Sequence, residues 1–260
     1  MKHRHISAGV ALALCLYGTF AHATATADAR LSDLRIQLFA IGTGASSVVF
    51  TSADGSLVQT QAFSTMPGLA VDDSVAGIAA LAPVKLDCPS NSNVACHAQI
   101  AGDPWAGVGA VDVSASAGDA FSAQVEATAF LAGGTNYATF ELSADTVMVI
   151  TAVSDLYTQA SGDGLDQASS TAYLNLSGSE GDDSQSSVAN ALVVAGGPFG
   201  DLDVRHSVLA VSFVNAFSHA VEGSLFGGVD ATAVSSVAEP ASAWLLLAGF
   251  LAFAVGRRRP

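Results

Sequence analysis

Apolar and polar residues alternate with a period of two along much of the chain, and this pattern limits the folds that the chain can adopt. In residues 111–117, valine and alanine alternate with aspartate and serine, and residues 121–131 repeat the pattern over a longer stretch. Shorter alternations occur at 172–177 and 229–233. Because successive side chains of a strand point to opposite faces, each segment predicts a β-strand that is buried on one face.

Turn-forming residues separate these segments and favour an all-β architecture. Two apolar runs, residues 147–153 and 209–217, predict further strands. The expected fold is mainly β, an antiparallel, jelly-roll-like β-sandwich. Residues 188–195 fit helical spacing equally well, so both a helix and a strand stay open there. The turn signals are Asp54-Gly55, Gly133-Gly134, Gly162-Asp163-Gly164, Gly196-Gly197-Pro198 and Gly227-Gly228.

The first 23 residues are typical of a secretory signal peptide. A basic start is followed by an apolar stretch, and Ala21 and Ala23 form a small-x-small cleavage site. Cleavage after Ala23 implies export through the Sec translocon and processing by signal peptidase; Ala25 and Ala27 also fit. Cys15 would be discarded with the signal helix, the alternative being a lipidated N-terminus. Residues 24–236 would then form one extracytoplasmic β-rich body.

The last 24 residues, 237–260, form a second targeting segment. The apolar run 241–256 would be about 24 Å long as a helix, short for a bilayer core of about 30 Å. Arg257, Arg258 and Arg259 follow it and can reach the interface. The positive-inside rule keeps these arginines cytoplasmic, so the body would lie outside. This pattern predicts a single transmembrane helix at the C-terminus.

This tail resembles the PEP-CTERM sorting tail of Gram-negative bacteria. Glu239-Pro240, Trp244 and the cluster Arg257, Arg258 and Arg259 match the family pattern in order, whereas Ala238 stands where the family has its first proline. The resemblance covers only the tail. It implies that exosortase cuts near Glu239-Pro240 and that the protein passes from the inner membrane to the outer surface or the medium. A plain C-terminal anchor is the alternative.

The charge of the body argues against several partners. Between the two predicted targeting segments the basic residues are Arg30, Arg35, Lys85 and Arg205. Four basic against 23 acidic residues, Glu239 included, give a net charge of about −19, compared with −14 for the whole chain. Nucleic-acid binding needs a basic surface, so it is not expected. Binding of the body to an anionic membrane is disfavoured for the same reason.

The two cysteines of the body predict a small disulfide-closed loop. Cys88 and Cys96 enclose a segment rich in proline, serine and asparagine, which is typical of turns. Disulfides persist in exported proteins, so two free thiols are the less favoured alternative.

Residues with binding or catalytic chemistry are few. Asp163, Asp166, Asp182 and Asp183 lie in glycine-rich segments and could supply calcium ligands, or they could be solvated loop charges. No other cofactor is expected. Trp105 could form a sugar-stacking platform, or it could pack in the core or against a loop.

The sequence predicts a protein without enzymatic activity. No nucleophile elbow, zinc motif or phosphate-binding loop is present. Glu126 and Glu141 could pair as glycosidase carboxylates, or they could be solvated residues of a sheet face. By resemblance of the tail, a structural role in an exopolysaccharide or biofilm matrix is the leading hypothesis. A secreted carbohydrate-binding module is the alternative, and a secreted hydrolase is the third.

Overall fold

The computed structural model describes residues 24–50, 56–64, 70–77, 81–88, 94–118, 123–131, 138–161, 166–199 and 201–236. The predicted signal peptide (1–23) and sorting tail (237–260) lie outside these ranges. Within them, β-strands account for most of the chain. The strands are β1 (Thr24–Ala40), β2 (Val48–Phe50), β3 (Leu57–Ser64), β4 (Ala70–Ala76), β5 (Val84–Asp87), β6 (Val94–Ala101), β7 (Gly109–Ala117), β8 (Ala123–Phe130), β9 (Ala138–Leu142), β10 (Thr146–Ser161), β11 (Gln167–Glu180), β12 (Asp183–Ala195), β13 (Leu202–Asn215) and β14 (Val221–Ser235).

The strands form two antiparallel sheets. Sheet A has six strands in the order β13-β10-β1-β7-β6-β5. Sheet B has eight strands: six follow the order β12-β11-β14-β8-β3-β4, and β9 pairs with both β14 and β2. Buried residues of both sheets belong to one hydrophobic core in a sandwich-like arrangement. The prediction of a mainly β, antiparallel fold is confirmed.

Small apolar side chains make up much of the core. Ala25, Ala27 and Ala29 on β1 are at most 1% exposed, and the alternating residues of β7 are buried in the same way. A two-residue period places every second side chain between the sheets, as the alternation at 111–117 predicts. Residues 188–195 lie in strand β12, which settles the open choice between helix and strand.

One predicted turn is wrong. Gly227 and Gly228 lie in the middle of β14, where Gly228 pairs with Tyr173 on one side and with Phe130 on the other. A Cβ atom on Gly228 would come within 2.2 Å of the Ala129 carbonyl oxygen, so the glycine permits a close approach of two backbones rather than a chain reversal. By contrast, Gly196 and Gly197 do form a turn, with φ of 99° and 57°. The other three predicted turns, at 54–55, 133–134 and 162–164, lie outside the described residues.

The body has two ends. We call the end where β1 begins and β14 stops the proximal end, and the opposite end the distal end. At the proximal end, Ala25 of β1 pairs with Ala117, and the Ser235 hydroxyl donates to the Gly118 carbonyl at 2.8 Å. The first strand therefore begins, and the last strand stops, beside the same end of β7. The distal end carries the β6–β7 connection, the β11–β12 turn and the β13–β14 connection. Among the described residues, no helix is long and apolar enough to cross a membrane.

Candidate functional site

A shallow, open groove lies at the distal end, with a volume of about 280 Å³. It lies between the end of the β11–β12 hairpin and the connection from β13 to β14. We call it the distal groove. Its lining residues are Gly178, Ser179, Glu180, Asp183, Ser184, Gln185, Phe213, Val214, Ala216, Phe217 and Val221.

Two facing glycines make room for the aromatic floor of this groove. Gly178 of β11 pairs with Gly223 of β14. A Cβ on Gly178 would meet the Phe213 ring at 2.7 Å, and one on Gly223 would meet the Phe140 ring at 2.3 Å. The two phenylalanine rings pack edge to face, with centroids 5.4 Å apart. The glycine pair is therefore required by the aromatic packing.

A line of edge-to-face rings connects the groove floor to the predicted sugar platform. Phe140 contacts Phe50 with centroids 6.3 Å apart, and Phe50 contacts Trp105 with centroids 6.4 Å apart. Trp105 is 48% exposed, and its backbone N–H donates to Asp103 at 2.9 Å. The indole thus packs against Phe50 while about half of its surface stays open to solvent at the distal end.

A buried asparagine fixes the outer wall of the groove. Asn215 is fully buried at the end of β13. Its Nδ2 lies within 3.0 Å of the carbonyl oxygens of Leu142, Ser143 and His219, and its Oδ1 accepts the Phe217 N–H at 2.9 Å. These bonds join the β13–β14 connection to the end of β9 and satisfy buried backbone groups of both segments.

The rim of the groove is acidic. Glu180 and Asp183 are the last and first paired residues of the β11–β12 hairpin, and Gly181 in the turn has φ of 57°. Nε2 of His219 lies 3.1 Å from Oε1 of Glu180, and the histidine ring packs against Phe217 with centroids 5.6 Å apart. Carboxylates and serine hydroxyls beside an aromatic floor suit a ligand with hydroxyl donors and an apolar face.

The predicted calcium residues are not brought together. Asp166 is 1% exposed at the proximal start of β11, where it accepts the Ser236 N–H at 3.0 Å. Asp182 and Asp183 lie at the distal turn, beyond a 14-residue strand of about 45 Å. Asp163 lies outside the described residues. Within the described ranges, no group of three or more histidine, cysteine or acidic side chains could hold a metal ion.

The predicted disulfide is present between Cys88 and Cys96, whose Cα atoms are 5.3 Å apart. It joins the end of β5 to β6 near the proximal end. The candidate glycosidase pair is separated instead. Glu126 pairs with Thr232 and Glu141 with Glu222, ten residues apart on β14 and so about 33 Å from one another. This distance is too large for a pair of glycosidase carboxylates.

The outward face of sheet A carries an exposed ionic cluster, which we call the face A cluster: Lys85, Asp87, His97 and Asp112. Nδ1 of His97 lies 2.5 Å from Oδ1 of Asp87, and Nε2 lies 3.0 Å from Oδ2 of Asp112. Nζ of Lys85 lies 3.0 Å from Oδ2 of Asp87. Hydrogen bonds from His97 and Lys85 lower the pKa of Asp87 below its usual value.

The outward face of sheet B carries a more buried group, the face B cluster: Glu126, Thr128, Tyr173 and Asp230. Desolvation, together with the nearby Glu126 charge, raises the pKa of Asp230. Hydrogen bonds from Thr128 and Tyr173 oppose this rise. Desolvation and the charge of Asp230 raise the pKa of Tyr173, whose ring stacks on Phe226 with centroids 5.0 Å apart.

Of the groove residues that the sequence did not predict, Asn215 carries a weak signal and the two paired glycines carry none. Asn215 interrupts an apolar run, which is unusual for a buried strand. Gly178 and Gly223 carry no local signal, because their role depends on pairing between distant strands. Comparisons of the chain with protein-family models, curated proteins and solved structures found no match.

Proposed function

We propose that this chain is an exported protein whose body is delivered to the cell surface or the extracellular matrix by its C-terminal tail. The observation that carries the proposal is the order of features in that tail: Glu239-Pro240, the apolar run with Trp244, and the three terminal arginines. By its resemblance to PEP-CTERM tails, the segment would be cut by exosortase near Glu239-Pro240. The released body would have a structural role in an exopolysaccharide-rich matrix.

The positions of the chain ends within the body support this proposal. β1 begins at Thr24, directly after the predicted signal cleavage site, and β14 stops at Ser235, just before the tail. The start of β1 and the end of β14 both lie at the proximal end. A body held by its tail would therefore keep its proximal end towards the inner membrane, and the distal groove and Trp105 would face away from it.

The chemistry of the body fits an exported location. The Cys88–Cys96 disulfide is of the kind that persists in oxidising compartments. The net charge of about −19 keeps a surface protein soluble and disfavours its adsorption to anionic lipid. The jelly-roll-like sandwich is proposed as the compact unit that remains after both targeting segments are removed.

Intact-mass analysis of cell-surface and medium fractions tests the proposal. We expect a species that begins near Thr24 and ends close to Glu239-Pro240. Replacing the three terminal arginines by alanine should abolish this species. Ser242→Ala and Phe250→Leu are the controls, because they preserve the length and the apolar character of the run and should leave the species unchanged. Recovery of a species that keeps residues 257–260 in the inner membrane would replace the sorting proposal by a plain anchor.

A second proposed function is carbohydrate binding at the distal end, because Trp105 is about half exposed there and its ring contacts continue to the distal groove. An exposed indole face can stack on a sugar ring, and the acidic and serine groups of the rim can accept its hydroxyl hydrogens. Retention on the exopolysaccharide of the producing cells would test it. We expect Trp105→Ala to abolish retention and Trp105→Phe to keep part of it; failure of the parent protein to bind would end this proposal.

A further inference from the structure

Among the described residues, no strand pairs with the outer edge of β13, and one half of this edge is exposed. β13 is the outermost strand of sheet A. The carbonyl oxygens of Asp203 and Ser207 accept hydrogen bonds from Thr158 and Ser154 of β10. Odd-numbered residues of β13 therefore direct their backbone groups to β10, and even-numbered residues direct theirs away from it.

The other half of this edge is covered by side chains of sheet B. The N–H groups of Ser212 and Val214 donate to Oγ of Ser187 at 3.1 Å and to Oε1 of Gln185 at 2.7 Å, both on β12. Polar side chains that accept edge N–H groups prevent another strand from pairing there. Only the proximal half of β13 is left for a further strand.

The proximal half is exposed and largely apolar on its outward side. Residues 202–206 are all exposed, and Leu202, Val204 and Val208 are 57%, 62% and 68% exposed. His206 lies among them, with Nδ1 2.5 Å from Oδ1 of Asp155 on β10. An exposed edge with unpaired backbone groups and apolar side chains is a site for strand addition.

Two charges on the opposite side of the strand determine which partner fits. Asp203 and Arg205 are two residues apart, so both point to the side of β13 opposite to Val204, and both are exposed. Around a two-fold axis through Val204, antiparallel pairing places each Asp203 opposite Arg205 of the second copy. An axis through Arg205 would place two arginines together, and an axis through Asp203 would place two aspartates together.

We propose that this edge pairs with a second copy of the same chain, with Val204 on the two-fold axis and two Asp203–Arg205 ion pairs flanking it. The two six-stranded A sheets would then form one continuous sheet. The backbone N–H and C=O of Val204 point away from β10, towards the second copy. Val204 can therefore form a hydrogen-bonded pair with its own copy, as antiparallel pairing requires. The paired segment is short, so the buried area is small and the association is weak. This inference concerns the body alone and does not rest on the processing of the tail.

Cysteine trapping tests the register. The protein is taken from cells expressing the full chain, in whichever fraction carries it. Val204→Cys should give a disulfide-linked dimer under mild oxidation, because the two Cα atoms would be about 5.5 Å apart. Val208→Cys is the matched control: it has similar exposure, but its two copies would be about 27 Å apart in this register and should not crosslink. Equal or better trapping at Val208 would overturn the proposed register.

Charge exchange tests the partner, using Val204→Cys trapping and sedimentation as readouts. Asp203→Arg and Arg205→Asp should each raise the dimer dissociation constant by about tenfold or more, since like charges would then face each other. Mixing the two variants should restore dimers, because one chain then carries two positive and the other two negative side chains. Unchanged circular dichroism checks the fold of each variant. Association that is insensitive to both changes, or a mixture that stays monomeric, would overturn the proposal.

Discussion

The outward faces of the two sheets each carry an aspartate held by hydrogen bonds, yet the pKa values of these two residues shift in opposite directions. Asp87 on sheet A is about half exposed, and hydrogen bonds from His97 and Lys85 lower its pKa. Asp230 on sheet B is more buried and lies near Glu126, so desolvation and repulsion raise its pKa. In the face A cluster, hydrogen bonds to the carboxylate determine the direction of the pKa shift; in the face B cluster, desolvation of the carboxylate determines it.

The difference follows from what covers each face. On sheet B the Tyr173 ring lies beside Gly228 and stacks on Phe226, so an aromatic layer shields Asp230. On sheet A the cluster sits on the short β5–β6 hairpin, next to the Cys88–Cys96 disulfide. We therefore expect the face B cluster to depend on packing and the face A cluster on a covalent crosslink.

The largest effect should come from filling the space at Gly228. Gly228→Ala places a Cβ within 2.2 Å of the Ala129 carbonyl oxygen, so β14 and β8 must separate beneath Tyr173. We expect the free energy of unfolding to fall by about 3 kcal/mol, measured by urea denaturation. Gly44→Ala is the control, because a Cβ there meets no atom within 4 Å. Equal stability of both variants would contradict the proposed close approach.

Removal of the disulfide should have the next largest effect. Replacing Cys88 and Cys96 together by serine releases the β5–β6 hairpin, and loop entropy predicts a loss of about 2.6 kcal/mol in unfolding free energy. The same denaturation experiment measures it. Cys15→Ser, in the predicted signal peptide, is the control and should leave the stability of the body, residues 24–236, unchanged. A loss far below 1 kcal/mol would show that the hairpin is held by its other contacts.

Much of the fold could be predicted because the two-residue period is a local property. The alternation at 111–117 and 121–131 identifies strands β7 and β8 and the faces they bury. Gly227-Gly228 could not be interpreted correctly in the same way. Two adjacent glycines usually mark a turn, and only the pairing with Tyr173 and Phe130, far away in sequence, explains them inside a strand.

The candidate sites could be predicted less well because they depend on which strands are neighbours. The Cys88–Cys96 pair was predictable, since the two residues are eight positions apart in a chain whose N-terminus predicts export. The acidic residues were grouped by composition alone, and a 14-residue strand separates Asp166 from Asp183. The distal groove depends on the Gly178–Gly223 pair, which no local pattern reveals.

Neutralising Asp230 should stabilise the protein. Its unfolded carboxyl ionises near pH 3.8, whereas the folded one keeps its proton to higher pH, so stability falls as the pH rises through the folded pKa. Asp230→Asn removes this pH-dependent loss of stability, because the amide does not ionise. We expect unfolding free energy to rise by about 1 kcal/mol at pH 7 and to change little at pH 3. A variant that is less stable than the parent at pH 7 would mean that the carboxylate's hydrogen bonds outweigh its desolvation.

The smallest effect, opposite in sign, should come from Asp87→Asn. The folded pKa of Asp87 is lowered, so its contribution is present above pH 3.8 and is lost as the pH falls through the folded value. The variant should be less stable than the parent at pH 6 by at most about 0.5 kcal/mol, because water screens an exposed cluster. At pH 2 the stabilities of variant and parent should agree.

Salt distinguishes the two faces further. In 1 M NaCl the Debye length is about 3 Å, so most of the Asp87→Asn effect should disappear. More of the Asp230→Asn effect should remain, because it arises from burial. Equal salt sensitivity of the two variants would show that the faces do not differ in the way their pKa values indicate.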